Sequence, residues 1–269
     1  MIFTRLYIVG HMNSITQTVI FTFLFGLSFG TQALAPVVDT KLTGVGFYKL
    51  CTSIVLASLM LVLGLDFFMT PALSAVEMGC YGVLIVSNAL TYFLHRDEKT
   101  PLMWALYILQ VLTFSVLSFY AFGFDSNWLQ FFFITAGLIA ISNFAMTLGH
   151  YYLVVPKLTF EPLFYCLWIF WVFIFTKLFF SVSVLLGPAA PYLVEGSTHG
   201  DGYMYNWLFI SMRYLWGYAA PIILSFFTYR LCKLKSNQSA TGVLYIIEFF
   251  VIVGELISIY LMAKHGLAL

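Results

Sequence analysis

Two glutamates stand in an otherwise apolar stretch near the end of the chain. The stretch IIEFFVIVGELISIY carries Glu248 and Glu255, seven residues apart. A carboxylate inside a membrane-spanning helix costs several kcal/mol unless it is paired or protonated. Such groups can move protons or ions, and they can also form ion pairs that fix the register of helices. The sequence leaves both roles open for these two residues.

Basic side chains in other apolar segments balance the acids. Six charged residues in the predicted helices form a predicted buried charge network: Glu77, Lys177, Arg213, Glu255, Lys49 and Glu248, whereas Arg230 lies at a predicted helix end. The topology derived below places the first four in the outer half of the helix bundle and the last two in the inner half. Because pairing is the cheapest way to keep charges in a low dielectric, we expect Glu255 to pair with Arg213 or Lys177. Glu248 is expected to pair with Lys49.

Polar and small side chains follow one face of two predicted helices. The first stripe consists of Glu77, Tyr81, Asn88, Thr91 and His95, and the second of Ala136, Ala140, Asn143, Thr147 and His150. Steps of three, four and seven keep side chains on one face of a helix with about 3.6 residues per turn. Such faces predict helix contact or a lined cavity, because lipid offers polar groups no partner. If the stripes face each other, His95 and His150 come together.

Two histidines at one depth on neighbouring helices can hold a haem iron through both axial positions. The stripes therefore suggest haem b or quinone between the two helices, with His95 and His150 as candidate haem ligands. The alternative is that both histidines lie at the water boundary, since RDEKT follows His95. There they would bond headgroups or main-chain atoms. Neither the histidines nor the four single cysteines show the spacing of a metal site.

Composition assigns the chain to the membrane. It is 62% hydrophobic and only 9% charged, with a mean hydropathy of +0.96, whereas soluble domains carry about 25% charged residues. The net charge of +1 and the lack of a basic patch with interleaved aromatic residues exclude nucleic acid as a partner. The expected partners are the lipid bilayer and other membrane-protein subunits.

The lengths of the apolar runs predict an all-α, polytopic integral membrane protein. About 20 residues of helix cross the hydrocarbon core, and eight runs are long enough. The predicted helices cover residues 17–36, 44–65, 71–95, 101–123, 128–155, 162–187, 203–230 and 240–263. We expect them to form a single transmembrane domain over residues 1–269. The longest connection, residues 187–203, is the only one with room for a small lid or docking surface.

Lysine and arginine in the connections predict the orientation. The links after the odd-numbered helices carry most of these residues: Lys41, Arg96, Lys99, Lys157, Arg230, Lys233 and Lys235. The opposite side carries only Arg5 and Lys264. The positive-inside rule then places both termini on the non-cytoplasmic side.

Three functions remain open from the sequence. The first is a multi-pass subunit of an electron-transfer or respiratory-type complex in a bacterial-type inner membrane. The second is a small-solute or proton-coupled ion transporter that uses the buried charges and a kink at Pro221. The third is a purely structural membrane scaffold. Because the chain has no phosphate-binding glycine loop, HExxH or GxSxG motif, no catalytic residue is assigned.

Overall fold

The computed structural model describes residues 15–37, 43–69, 73–94, 100–154, 159–197 and 199–269. Across these ranges the chain is helical and contains no strand. Eight of its helices are long and apolar enough to cross a membrane. The predicted all-α class and the predicted number of long helices are therefore confirmed for the described part of the chain.

Each helix begins and ends within four residues of its predicted bounds. They are α1 (Ile15–Leu34), α2 (Val45–Met69), α3 (Ala75–Leu94), α4 (Pro101–Phe122), α5 (Ser126–Val154), α6 (Glu161–Leu186), α7 (Tyr203–Lys233) and α8 (Asn237–His265). A π-helical segment, Leu215–Ala219, interrupts α7 just before Pro221. Short 3₁₀ helices cover Ala35–Val37 and Ala190–Leu193.

Local sequence explains two of these ends. At the start of α4, the Thr100 hydroxyl oxygen accepts a hydrogen bond from the Met103 amide at 3.4 Å, and Pro101 occupies the first turn, where its missing N–H costs nothing. At the end of α8, Gly266 adopts a left-handed conformation with φ of 68°. This glycine turns the chain so that the Leu267 amide bonds the Leu261 carbonyl at 3.3 Å.

The chain divides into two compact units. Unit 1 comprises Met1–Ala140 and Val154–Thr159, and unit 2 comprises Ile141–Leu153 and Phe160–Leu269. Helix α5 therefore contributes its first half to unit 1 and most of its second half to unit 2. The expectation of one domain over the whole chain stays a prediction.

Aromatic packing and a close helix approach hold unit 1 together. The Phe25 ring stacks on that of Phe132 with centroids 5.2 Å apart, and both side chains are fully buried. A Cβ atom at Gly30 would collide with the Ala136 carbonyl oxygen and the Ala140 methyl group. Glycine at this position is therefore what lets α1 lie against the first half of α5.

In unit 2 hydrogen bonds join α6 to α7. The Trp171 indole donates to the Ser225 hydroxyl at 2.7 Å, and the Ser181 and Tyr214 hydroxyls lie 2.9 Å apart. Helix α8 lies close against α7 at a glycine pair, because a Cβ atom on Gly254 would collide with the Cα atom of Gly217. These contacts bring three helices together around the charged residues described next.

Candidate functional site

One carboxylate and two cations meet inside unit 2. The Lys177 ammonium on α6 bonds Oε2 of Glu255 on α8, and Nη1 of Arg213 on α7 lies 3.1 Å from Oε1 of the same carboxylate. Lys177 is 3% exposed, and Arg213 and Glu255 are 0% exposed. The predicted pairing of Glu255 is confirmed, and it involves both of the expected bases. We call these three residues the charge cluster.

The π-helical segment and the glycine pair position the Arg213 guanidinium. The group lies over the Tyr218 ring, 4.0 Å from its centroid, and Nη2 donates to the Tyr218 hydroxyl at 2.7 Å. A Cβ atom on Gly217 would collide with Nη1, and one on Gly254 would come within 3.1 Å of it. Both glycines are therefore needed to leave room for the guanidinium between α7 and α8.

The residues that follow α8, 266–269, complete the surroundings of Arg213. After Gly266 the chain turns back, and the main-chain oxygen of Leu269 accepts hydrogen bonds from Arg213 Nε at 3.1 Å and from the Ser258 hydroxyl. Leu267 and Leu269 are buried in a small apolar cluster with α7 and α8. The guanidinium thus hydrogen-bonds a phenol and a main-chain oxygen and forms an ion pair with a carboxylate, while Nη1 and Oε1 of that ion pair make no hydrogen bond among the described residues.

The two cations of the charge cluster differ in chemistry. A guanidinium keeps its proton in proteins, whereas an ammonium group can give one up. The cluster therefore combines one fixed positive charge with one carboxylate and one amine that can exchange a proton. Such a pair can act in proton movement, and it can also act purely as a register device.

Glu248 has neutral partners in unit 2. Its carboxylate accepts side-chain hydrogen bonds from Ser142 and Asn143 of α5, and the residue is 6% exposed. Lys49 belongs to unit 1, where its ammonium lies 5.6 Å from the centroid of the Tyr92 ring. The expected pairing of Glu248 with Lys49 stays a prediction.

Glu77 acts as a helix cap in unit 1. Its carboxylate accepts a hydrogen bond from the Ser74 amide at 2.7 Å, and the Ser74 hydroxyl accepts one from the Glu77 amide at 3.2 Å. This reciprocal arrangement is a capping box at the start of α3. The sequence interpretation missed the Ser-x-x-Glu signal, because it treated Glu77 as a buried charge and as part of the first polar stripe. A link between Glu77 and the charge cluster stays a prediction.

The rest of the first polar stripe contacts α2 and α4. The Tyr81 hydroxyl donates to the Asp66 carboxylate of α2, and Gln110 Nε2 of α4 donates to the Thr91 hydroxyl at 3.0 Å. The Asn88 amide donates to the Leu84 carbonyl within α3, at 2.9 Å. The expectation that this face is buried within the protein is confirmed for Tyr81 and Asn88, which are 1% and 0% exposed.

Asp66 is a buried acid that sequence reasoning missed. The predicted helix ended at residue 65 and left Asp66 in a connection, but α2 continues to Met69 and buries the residue completely. The hydrogen bond from Tyr81 helps a carboxyl group to remain there. The available signal was the apolar run LGLDFFM, which continues beyond the acid.

The second stripe is distributed along α5. Asn143 contacts Glu248, and Thr147 is 5% exposed. The His150 ring bonds the Tyr245 hydroxyl of α8 through Nδ1 at 3.0 Å, on the exposed side of the helix. His95 lies outside the described residues, so the meeting of His95 with His150 stays a prediction.

The long connection is folded onto the end of unit 2. Asn206 Nδ2 donates to the carbonyls of Tyr192 and His199 at 3.2 and 2.8 Å, and Asp201 bonds the Lys264 ammonium. The hydrogen bond from Lys264 is the main reason that the pKa of Asp201 lies below its usual value. His265 Nε2 lies 3.5 Å from the same carboxyl group.

No group of three or more His, Cys, Asp or Glu side chains in the described part of the chain is placed to hold a metal ion. No protein-family model, curated protein or solved structure matches the chain.

Proposed function

We propose that the chain is an integral membrane protein with eight crossings and that unit 2 is a proton-coupled transporter of small solutes or ions. The charge cluster is the observation that carries this proposal. Three charged side chains, contributed by three different helices, are almost fully withdrawn from solvent. Ionisable groups inside membrane segments commonly mark proton or ion pathways.

The π-helical segment gives the proposal a moving part. The Ala220 amide bonds the Leu215 carbonyl, five residues back, and Pro221 has no N–H to offer the preceding turn. π-helical turns are frequent at functional sites, and they mark places where the hydrogen bonding of a helix can change. Arg213 lies directly before this segment and Tyr218 lies within it. A change in the pairing of Glu255 would therefore act on α7 where its hydrogen bonding is least regular.

The exchange of a proton between Lys177 and Glu255 couples proton movement to the contact between α6 and α8. While Lys177 is charged, it and Arg213 both hold the carboxylate. When a proton leaves this pair, the carboxyl group keeps only its contact with Arg213, and α6 loses its charged link to α8. Such a release is a local charge change acting on a two-state contact, which is the general form of a coupled switch.

The proposed orientation places both termini on the non-cytoplasmic side. The bias of Lys and Arg towards the links after the odd-numbered helices supports it. The folded connection with Asp201 would then lie outside. A bacterial-type cytoplasmic membrane and other membrane subunits belong to the same proposal, supported by the small extramembrane mass.

Lys177→Met tests the proposal with little risk to the fold, because it leaves one carboxylate facing one guanidinium. Proteoliposomes with a trapped pH dye would receive a potassium diffusion potential through valinomycin. We expect proton entry with the wild-type chain and loss of it with Lys177→Met. Lys235→Met removes an exposed lysine and should leave the flux unchanged. Equal flux in both variants, or none in the wild type, would contradict proton coupling.

The electron-transfer function remains a second candidate because of the geometry of His150. Its Nδ1 is bonded to Tyr245, which leaves Nε2 as the nitrogen able to hold an iron. Metal-bound histidines usually have the other ring nitrogen held in this way. The purified protein would show sharp haem absorption bands on dithionite reduction, lost in His150→Ala and kept in His199→Ala. A featureless spectrum would remove haem from consideration.

A further inference from the structure

Glu248 is a buried ionisable group that the proposed exchange between Lys177 and Glu255 does not use. The residue is 6% exposed, and its Oε2 atom is buried without a hydrogen bond among the described residues. Its hydrogen-bond donors are the neutral side chains of Ser142 and Asn143 on α5. The contact between α5 and α8 therefore contains a carboxyl group that is bonded in part and has one unbonded oxygen.

The charged groups of the helices around α8 are engaged elsewhere. The two bases of the charge cluster hold Glu255, and His150 of α5 bonds the Tyr245 hydroxyl. The remaining Asp, Glu, Lys and Arg side chains of α6, α7 and α8 are exposed, namely Glu161, Arg230, Lys233 and Lys264. No ion pair in the described part of the chain involves Glu248.

A carboxyl group in these surroundings is more stable with its proton than without it. A buried carboxylate without a cation costs several kcal/mol, whereas a neutral carboxyl group with an unbonded O–H costs about 1–3 kcal/mol. A protonated carboxyl group also has one oxygen that accepts hydrogen bonds and one that carries the proton, which matches the bonded part of Glu248 and the unbonded Oε2. A proton needs no cavity, so the close packing around Oε2 does not prevent it from being held there.

The donors on α5 also allow the ionised form to exist. Hydrogen bonds donated to a carboxylate stabilise its negative charge, and both Ser142 and Asn143 can donate them. The site therefore satisfies part of each protonation state. Proton relays inside membrane proteins are commonly built from Asp, Glu and His side chains, and each member of a relay must be able to take up a proton and give it up.

Glu248 lies on the face of α8 that also carries Glu255. Seven residues correspond to about two helical turns, or roughly 10 Å along the axis. Both side chains are buried in unit 2, the first against α5 and the second against α6 and α7. The separation along the helix is much longer than a hydrogen bond, so the two carboxyl groups are separate sites for a proton.

We propose that Glu248 is a second proton-binding site of unit 2, whose carboxyl group carries a proton at neutral pH and releases it in each transport cycle. On release the O–H bond at Oε2 breaks, the proton passes to a water molecule as Oε2 becomes exposed, and Ser142 and Asn143 hold the carboxylate that remains. The release step rests on the proposed transport function. The bound proton does not, because it follows from the burial of Glu248 and its neutral partners.

The test is the infrared spectrum of the full chain in liposomes at neutral pH, recorded in H₂O and in D₂O. A protonated carboxyl group has a C=O stretch above the carboxylate and amide bands, and this stretch shifts on deuteration. We expect the wild-type spectrum to contain such a band that Glu248→Gln lacks. Glu195→Gln is the matched control, because Glu195 is exposed and an exposed carboxyl group is ionised at this pH. Identical carboxyl bands in the wild type and Glu248→Gln would overturn the proposal.

Two further variants keep the proposal falsifiable if Glu248→Gln does not fold. Ser142→Ala removes one donor to the carboxyl group, so the C=O stretch should move to higher frequency; an unmoved band would overturn the proposal. Lys49→Met removes the base that the sequence predicts as the partner of Glu248, and it should leave the band unchanged. A band that appears only in Lys49→Met would overturn the proposal in favour of that ion pair.

Proton flux separates the bound proton from its role in transport. In the valinomycin assay we expect Glu248→Gln to slow proton entry by about a hundredfold or more, the usual contribution of a positioned proton donor. Glu195→Gln should leave the flux unchanged. Normal flux in Glu248→Gln would overturn the release step. A wild type that shows the infrared band without any flux would remove the proposed transport function and the release step, and it would support the proton-binding site.

Discussion

The charge cluster of unit 2 and the cavity of unit 1 are both polar, but they have opposite chemistry. Unit 2 buries Lys177, Arg213 and Glu255 in direct contact with one another. Unit 1 has its cavity where the end of α1 and α3 meets the start of α2 and α4, lines it with uncharged amides and hydroxyls, and leaves the Thr31 hydroxyl unbonded. An unpaired buried charge costs several kcal/mol, whereas an unbonded hydroxyl costs about 1–3 kcal/mol. A fold can therefore leave a buried hydroxyl unbonded at a lower cost than a buried charge without an opposite charge.

Removing the carboxylate of the charge cluster should lower the free energy of unfolding more than any other change considered below. Glu255→Gln leaves Lys177 and Arg213 buried without an anion, and breaking a buried pair typically costs about 3–5 kcal/mol of unfolding free energy. Lys177→Met leaves a one-to-one pair and should change stability by about 1 kcal/mol or less. Unfolding in mixed detergent micelles measures both variants. Similar losses in the two would mean that charge balance is not what holds the cluster together.

A substitution in the glycine pair of unit 2, Gly217 and Gly254, should have the second largest effect on stability. Gly254→Ala places a methyl group against the Gly217 backbone and close to Arg213, and overpacking of this kind costs about 1–3 kcal/mol. Gly242→Ala is the matched change on the same helix. Its Cβ would meet open space, so it should stabilise α8 by about 0.5–1 kcal/mol. The two unfolding midpoints should move in opposite directions; a shift in the same direction would contradict the close approach of α7 and α8.

A chain of hydrogen-bonded amides in unit 1, from Gln32 through Gln110 to the Thr91 hydroxyl, is the neutral counterpart of the charge cluster. Gln110→Leu removes the partner of Gln32 and the donor to Thr91. We expect a loss of about 1–3 kcal/mol, because buried polar groups are left unbonded. The same unfolding assay measures it, with Gln130→Leu as a control at an exposed position of α5. A loss as large as that of Glu255→Gln would remove the contrast between the units.

The smallest effect concerns the exposed contacts of Asp201. Because its folded-state pKa is lowered, Asp201 stabilises unit 2 above its unfolded pKa and loses that contribution as the pH falls through the folded value. Asp201→Asn should therefore lower the melting temperature slightly at pH 7, and by less at pH 2.5. Thermal unfolding at the two pH values, with salt added to screen the pair, measures it. A decrease of the same size at both pH values would point to lost packing instead of lost charge.

The predictability of the site differed from residue to residue. The partners of Glu255 were correctly expected, because few bases occur in apolar segments and only close pairing makes their burial tolerable. Asp66 was missed since a helix end was drawn at the acid, although the helix continues through it. Glu77 was read as a network charge because the predicted helix began at residue 71 and so included Ser74, whereas the helix begins at Ala75 and Ser74 caps it.

Composition and periodicity alone determined the helical class, the number of long helices and their approximate bounds. These follow from a local rule: an apolar run of about 20 residues without water must satisfy its backbone internally as a helix. Only the tertiary structure decided that Thr31 lines a cavity, that Arg213 lies against Gly217 and Gly254, and that the Leu269 carbonyl bonds the guanidinium. Most of those contacts join residues far apart in the chain, and their geometry depends on how whole helices pack, which no local pattern encodes.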